Sequence, residues 1–586
     1  MSMAGVKLRW SWRVTSLGTL LVVYAALSSC GPTKVIAAPD PIQTTVKITN
    51  SDPRVKIAIA RVIGTDQAAV LYQGRLELES CDVGKTISVW APGYYIRSFL
   101  CNEIPPHEYR IELEPIDPLD NPNYPWVAAN ISLNPSFECS TCHSDGSLMN
   151  EYPEWSMDGH SQALLSPLFW TTYLGTDINK TPAQQPLWDF SPDGSRYRVL
   201  PDPTQPDHGP GYRLDFPDAG GNCAFCHVPA AIGADHQEVN LTSWINDLWG
   251  GRINVATEGV TCDVCHKVID VDLDEQKLPY LDRPGILSFS FLRPSAGEQH
   301  VVGPWAHLMA STTDPDIKRA CAPIFSESSF CAPCHYAKFS GVEIYASYKE
   351  WLDSPYSQPN QSFRACQDCH MQSLQPVGKT TVPARGACSK DNYLFQDFSH
   401  NMMNRDNTGD PILIQQAATV SIDAIREDGN IRVNVNVVNT KAGHKLPTDS
   451  PLRHLILVVE AKDQNGVLLS QVAGPMIPEW GGTGNGPQDY AGRPGVIYAN
   501  LLKDKDTNMV PAVAYWNPTV PAWQGSDTRL LPNQVTLSEF FFVAPSQGGV
   551  TVTAQLFYRY AFIDILRNKG LPPEDILVNW GEAKIP

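Results

Sequence analysis

The chain has 586 residues and a net charge of −18, with 44 Lys and Arg set against 62 Asp and Glu. So acidic a surface argues against nucleic acid and anionic lipid as binding partners; it suits cationic patches on a protein partner, and equally well plain solubility. The length predicts three or four domains.

Residues 1–29 read as a targeting segment. Lys7, Arg9 and Arg13 precede an apolar run from Val14 to Leu27, which is shorter than the ~20 residues of a membrane-spanning helix. Leu27-Ser28-Ser29-Cys30 resembles the lipobox of bacterial lipoproteins, which implies cleavage before Cys30 and a diacylglyceryl anchor on its sulfur. Ordinary secretory cleavage near Ala37-Ala38, with Cys30 discarded, is the alternative. Either processing route predicts a mature chain outside the cytoplasm, in the periplasm or at the cell surface. No later segment is long and apolar enough to span a bilayer.

A linker over 30–42 leads into 43–118, where "TTVKIT", "KIAIARVI", "ISVWAPGYYIRSFL" and "EYRIELEPI" predict a small β-sandwich. The stretch "KTISVWAPGYYIRS" resembles carboxypeptidase-regulatory-like or Ig-like modules. Cys81 and Cys101 flank these strands and pair as a disulfide in an oxidising compartment; two buried free thiols are the alternative.

Residues 119–411 carry one pentapeptide five times: "CSTCH" at Cys139, Cys142 and His143, "CAFCH" at Cys223, Cys226 and His227, and "CDVCH" at Cys262, Cys265 and His266. "CAPCH" at Cys331, Cys334 and His335 and "CQDCH" at Cys366, Cys369 and His370 complete the set. A shuffled chain with 15 Cys and 14 His would hold about 0.01 of them. Zinc sites combine CxxC pairs two by two and give no reason for a His after every second Cys. A redox dithiol explains one pair. Covalent c-type haem explains every position, since two thiols add to the two vinyl groups and the next residue places its imidazole on the iron. Five covalently bound haems, with iron-proximal ligands His143, His227, His266, His335 and His370, are therefore predicted. Amphipathic periodicity is poor here, as expected if porphyrin faces form the core; "SYKEWLDSPY" and "GHSQALLSPLFWTTYLG" predict short helices. Cys321 and Cys388 either bridge this region or remain two unconnected thiols.

From 412 to 586 the pattern changes to period two. "ATVSIDAIREDGNIRVNVNVVNT" alternates about a DG turn and "RHLILVVEAKDQNGVLLSQVAG" about an NG turn. With "VTLSEFFFVAP" and "GVTVTAQLFYRYAF" these runs predict a second Ig-like sandwich with a long insertion around 474–531. The expected fold class is thus multidomain: an irregular, mainly-α multihaem domain flanked by two Ig-like β-sandwiches.

Nine further histidines can fill the second axial positions: His107, His160, His208, His236, His300, His307, His400, His444 and His454. His160 follows the first motif, His400 stands where the chain leaves the haem region, and His444 sits in a loop between sandwich strands. These three rank first as distal ligands. His300, His307 and His236 come next, and sequence does not separate His300 from His307. Met157, Met309, Met371, Met402 and Met403 are rival ligands that would raise the potential.

The haem region resembles the multihaem cytochrome c group that includes the tetrahaem cytochromes of ammonia oxidation. The resemblance rests on "CSTCH" followed by "YPEWSMDGHS", "NCAFCHVPAA", "EGVTCDVCHKV", "VVGP", "SSFCAPCH" with "SYKEWLDSPYS", "ACQDCHMQ" and "AGHKLPTDSP", over about residues 130–545. It implies that His160, His400 and His444 fall where distal ligands belong. No CxxCK occurs, so the lysine-ligated haem of pentahaem nitrite reductases is missing. Electron transfer to a redox protein or a membrane electron-transfer complex is the leading expectation. An oxidoreductase with one open haem for a small nitrogen or sulfur compound comes second, and a docking role within an assembly third.

Overall fold

The computed structural model describes residues from 44 to 586, apart from 50–54, 56–57, 72–74, 103–107, 131–137, 145–149, 184–187, 305–316, 373–387, 389–397, 404–411 and the isolated positions 64, 66, 80, 118, 200–201, 203, 205–206 and 296. Cys30, His107, His307 and Met309 lie outside the described residues.

The N-terminal part is two small sheets. Thr44–Ile48 pairs antiparallel with Arg75–Leu78 and parallel with Glu108–Ile111. The second sheet runs Ala68–Val70, Ile59–Val62, Thr86–Trp90, Arg97–Leu100. Val46, Leu76, Ile87 and Val89 are all 0% exposed in the core between the sheets, as alternation with one buried face requires. Cys81 and Cys101 are bonded, with Cα atoms 6.1 Å apart.

The C-terminal part is a larger pair of four-stranded sheets. One runs Ala418–Glu427, Asn430–Asn439, Val535–Val543, Gln471–Ala473; the other runs Gly495–Ala499, His454–Asp463, Val550–Arg559, Asp575–Ile585. Burial along Asn430–Asn439 alternates residue by residue, the mark of a strand with one face inward. The first hairpin closes over Asp428 and Gly429, both at positive φ, with Glu427 opposite Asn430. A two-residue loop with two positive φ values matches the twist of the strands. The Asn465-Gly466 turn does not produce a second such hairpin. After one bridge between Lys462 and Leu468 the chain crosses to the opposite sheet, where Gln471–Ala473 pairs with Val535–Val543. Nor is 474–531 wholly an insertion, because Gly495–Ala499 pairs along His454–Asp463 and completes the second sheet.

Between these parts, regular structure is short. Helices such as Glu151–Met157, Pro167–Leu174 and Thr242–Trp249 span seven or eight residues, and all five motifs form helices of four or five. Two-stranded ribbons such as Val268–Val271 with Phe289–Phe291 and Gln299–Gly303 with Ile317–Cys321 link them. The segment is therefore irregular and mixed rather than mainly helical. Cys321 and Cys388 are bonded across it.

The C-terminal sandwich is docked firmly on this segment. Lys569 is 0% exposed, and its Nζ donates to the carbonyls of Thr171, His208 and Pro210. Arg529 Nη1 donates to Glu350 Oε1 at 2.6 Å, and Glu350 Oε2 accepts from Thr448 Oγ1, also at 2.6 Å.

Candidate haem-binding cavity

Short helices and loops line a large cavity of about 2740 Å³. That is several times the roughly 300–1,000 Å³ that holds one drug-sized ligand, whereas protein interiors in general pack with few voids. Every Cys and His of the five motifs lines it, together with His160, His400 and His444.

Local sequence explains how the motifs are held. Thr261 Oγ1 accepts from Val264 N at 3.3 Å and caps the helix Cys262–Cys265. The buried Asp263 carboxylate is satisfied by Lys267 Nζ, Val127 N and Gln299 Nε2. Gly259, at φ +74, precedes this motif; a Cβ there would come within 2.4 Å of His160 O. The glycine lets Val260 N donate to His160 O at 2.9 Å, tying His160 to the third motif.

Three pairs of histidine rings face one another. His266 and His400 have centroids 6.3 Å apart at 27°, His370 and His444 6.4 Å apart at 19°, and His160 and His335 6.3 Å apart at 67°. Two imidazoles sharing one metal at roughly 2.0–2.1 Å per bond hold their ring centres about 6 Å apart. The residues thus fit an iron between each pair.

Tautomers agree with this fit. Nδ1 of His266 donates to Val302 O at 2.8 Å, that of His400 to Phe398 O at 2.8 Å, that of His370 to Met402 O at 2.8 Å and that of His444 to Lys445 O at 2.9 Å. His227 Nδ1 donates to Ala163 O at 3.1 Å. Carboxylates replace carbonyls elsewhere: Glu151 Oε2 lies 3.0 Å from His143 Nδ1 and Asp158 Oδ1 lies 2.7 Å from His160 Nδ1. His335 Nδ1 lies 3.4 Å from Ser347 Oγ and 3.5 Å from Asp449 Oδ2. With Nδ1 holding the proton, Nε2 keeps the lone pair a metal needs. Burial pushes His266 and His370 down to about 4 and lowers His227 and His400 as well. Their imidazoles stay neutral at pH 7 and competent as ligands.

His143 and His227 differ. Among the described residues no second imidazole ring faces either; Phe169 stacks on His227 with centroids 4.0 Å apart. His300 is not on the cavity wall. It is 5% exposed, and its Nδ1 lies 3.2 Å from Tyr95 Oη of the N-terminal part. His236 stands exposed in a turn at φ 56, also away from the cavity. Both placements follow from backbone position: His300 is committed to a strand facing the N-terminal sheet and His236 to a solvated turn. Met371, Met402 and Met403 line the cavity, but Met157 does not and is 44% exposed.

The motifs also touch. The Cys139 thiol lies beside that of Cys262, Cys226 beside Cys334, and Cys331 beside Cys366. Cys265 lies close enough to Cys331 and Cys334 to raise both. The first motif is therefore beside the third and the third beside the fourth, while the second and fifth both adjoin the fourth. Sequence reasoning does not single out Glu151, Asp158 or Asp449. The signal available was an acidic residue two positions before His160.

No family model matches the chain, and no curated protein matches it. Among solved structures, a penta-heme cytochrome c552 from Thermochromatium tepidum aligns at 19% identity with a TM-score of 0.48, covering 76% of this chain and 97% of that one. The Mu homology domain of Fcho1 from Danio rerio, solved with a bound Eps15 peptide, aligns at 10% identity and TM-score 0.12, covering 29% of this chain and 49% of that one.

Proposed function

We propose that the chain is an extracytoplasmic pentahaem c-type cytochrome, anchored by a lipid on Cys30, that passes electrons between protein partners. The observation that carries this reading is the set of three facing imidazole pairs at 6.3–6.4 Å inside a cavity lined by all five motifs. In this reading each motif's two thiols hold a haem and its His binds the iron. His400, His444 and His160 are the distal ligands opposite His266, His370 and His335.

Each bound haem supplies reversible one-electron exchange at its iron. The protein does the rest. Paired imidazoles would hold an iron from both sides and leave it closed to water and substrate. Phe325, stacked on His266 at 5.6 Å, covers a ligand ring from solvent. Motif-to-motif contact keeps the redox centres close enough to form a wire. Cys142 is exposed, which makes the first motif the natural end for exchange with a redox protein or membrane complex, and the acidic surface suits a cationic partner. The two flanking sandwiches, read as Ig-like, serve as docking modules.

The mass of the purified chain and its ferric EPR spectrum test this. Five covalent haems, a lipidated N-terminus at Cys30 and at least three low-spin bis-imidazole signals are expected. Fewer than five haems, or no low-spin haem, would overturn the reading.

A second reading has its own observation. Since no imidazole faces His143 or His227 among the described residues, one of their haems would keep an open face for a small nitrogen or sulfur compound. A high-spin ferric signal that shifts on adding such a ligand favours it. A spectrum entirely low-spin removes it and makes His307 the ligand to test first.

A further inference from the structure

The Nδ1 partners of the eight cavity histidines are not alike, and the difference falls on one site. The pairs His266–His400 and His370–His444 donate only to backbone carbonyls, as does His227. His143 has one carboxylate partner, Glu151. The His160–His335 pair alone has a carboxylate behind each ring: Asp158 at 2.7 Å from one Nδ1 and Asp449 at 3.5 Å from the other.

We propose that Asp158 and Asp449 are positioning residues that make the haem held between His160 and His335 the most negative in potential of the five. The inference rests on the haem reading above. A carbonyl offers Nδ1–H a dipole, whereas a carboxylate offers it a full negative charge. That charge raises the basicity of the ligand and favours the ferric over the ferrous iron, and a low-dielectric interior amplifies the effect.

Both carboxylates are built in at a cost. Asp158 is 1% exposed, and its oxygens also accept from His160 N at 3.0 Å and Met403 N at 3.1 Å. The Asp449 side chain is 12% exposed and accepts from Ser347 N at 3.1 Å. Asp449 adopts φ +61, a region non-glycine residues rarely occupy, and such strain concentrates where function fixes the backbone. Arg453, 3.9 Å from Asp449, neutralises part of its charge, so Asp158 is the stronger of the two.

Position gives this a consequence. The fourth motif is the one that adjoins three others, through Cys226–Cys334, Cys331–Cys366 and Cys265. The most negative centre at the branch point holds an electron least. Transfer from one arm to another then crosses an uphill step at the junction, and electrons drain from it into the arms.

Spectroelectrochemical titration of the holoprotein, followed by EPR, tests this with Asp158→Asn, Asp449→Asn and Glu151→Gln. Each amide keeps an acceptor oxygen for Nδ1–H and removes only the charge. D158N and D449N are expected to move the same, most negative, one-electron step to more positive potential. For D158N the shift is expected to be at least tenfold in the reduction equilibrium, about 59 mV for a one-electron couple, and the double variant should show the sum. E151Q should move a different step. If D158N and D449N move different steps, move none, or shift all five alike while the low-spin signals persist, the proposal is overturned. Failure of the haem reading would look different: His160→Met would leave every low-spin signal unchanged.

Discussion

The C-terminal sandwich and the cavity segment solve the same problem with different materials. In the sandwich, side chains fill the interior: Val433, Leu457, Phe540 and Val552 are all 0% exposed and meet between two sheets. The cavity segment has buried side chains too, among them Leu164, Leu241, Ile245 and Val302, but its helices of four to eight residues also stand around a large space that no side chain fills. Where side chains make the core, burial imposes a period on the sequence. Where a prosthetic group makes it, the requirement collapses onto the few residues that hold the group, and the rest of the segment is free to be irregular.

The largest effect expected from this contrast follows withholding the haems. Expressing the chain without haem attachment, or as Cys262→Ala/Cys265→Ala to strip the third site, should abolish cooperative structure through much of the cavity segment and leave the sandwich folded. A void of this size forfeits the contacts of every residue lining it. Limited proteolysis with mass spectrometry should cut the central segment rapidly and spare 418–585. Equal resistance of both regions would mean that the cavity segment carries a sufficient side-chain core of its own.

This division also explains what sequence could show. The five motifs are legible because the covalent haem attachment proposed for them needs two thiols and an imidazole at fixed spacing. The Asp428-Gly429 hairpin is legible because its turn demands two residues tolerant of positive φ. The turn at Asn465-Gly466 is equally visible, yet where its outgoing strand pairs depends on which sheet edge lies open, a three-dimensional fact. His160, His400 and His444 face motif histidines 175, 134 and 74 residues away along the chain, in the pairs His160–His335, His266–His400 and His370–His444. No local rule separates them from His300, which differs only in facing Tyr95. Asp449 was hidden for the same reason: its partner His335 is over a hundred residues away.

A smaller effect probes the sandwich alone. Phe540→Ala removes a ring from the middle of its core, and truncation at such a site costs about 3–5 kcal/mol. Hydrogen exchange at the amides of Asn430–Asn439 should accelerate accordingly, while the haem spectrum stays unchanged. A change in both would show that the docking contacts of Lys569 and Arg529 couple the two cores into one folding unit.

The smallest effect concerns a histidine that belongs to the sandwich rather than to the cavity. His454 is 0% exposed, stacked on Phe562 at 5.0 Å, and its Nδ1 donates to Leu452 O at 3.1 Å. Burial pushes it down to about 3, and the nearby Arg559 acts in the same direction. An unfolded histidine titrates near 6.5, so between about pH 6.5 and 3 the unfolded chain binds one proton more than the folded one. Stability therefore falls as pH falls through that window, by up to about 1.4 kcal/mol per pH unit from this residue. His454→Gln removes that proton, so the pH dependence of sandwich exchange rates between pH 7 and 4 should flatten by up to one proton relative to the parent chain. In the haem reading proposed above, iron-bound cavity histidines do not titrate there, so the change should be confined to the sandwich amides. An unchanged slope would mean that the sandwich interior admits the proton despite its packing, and the contrast between a side-chain core and a cofactor core would lose its sharpest edge.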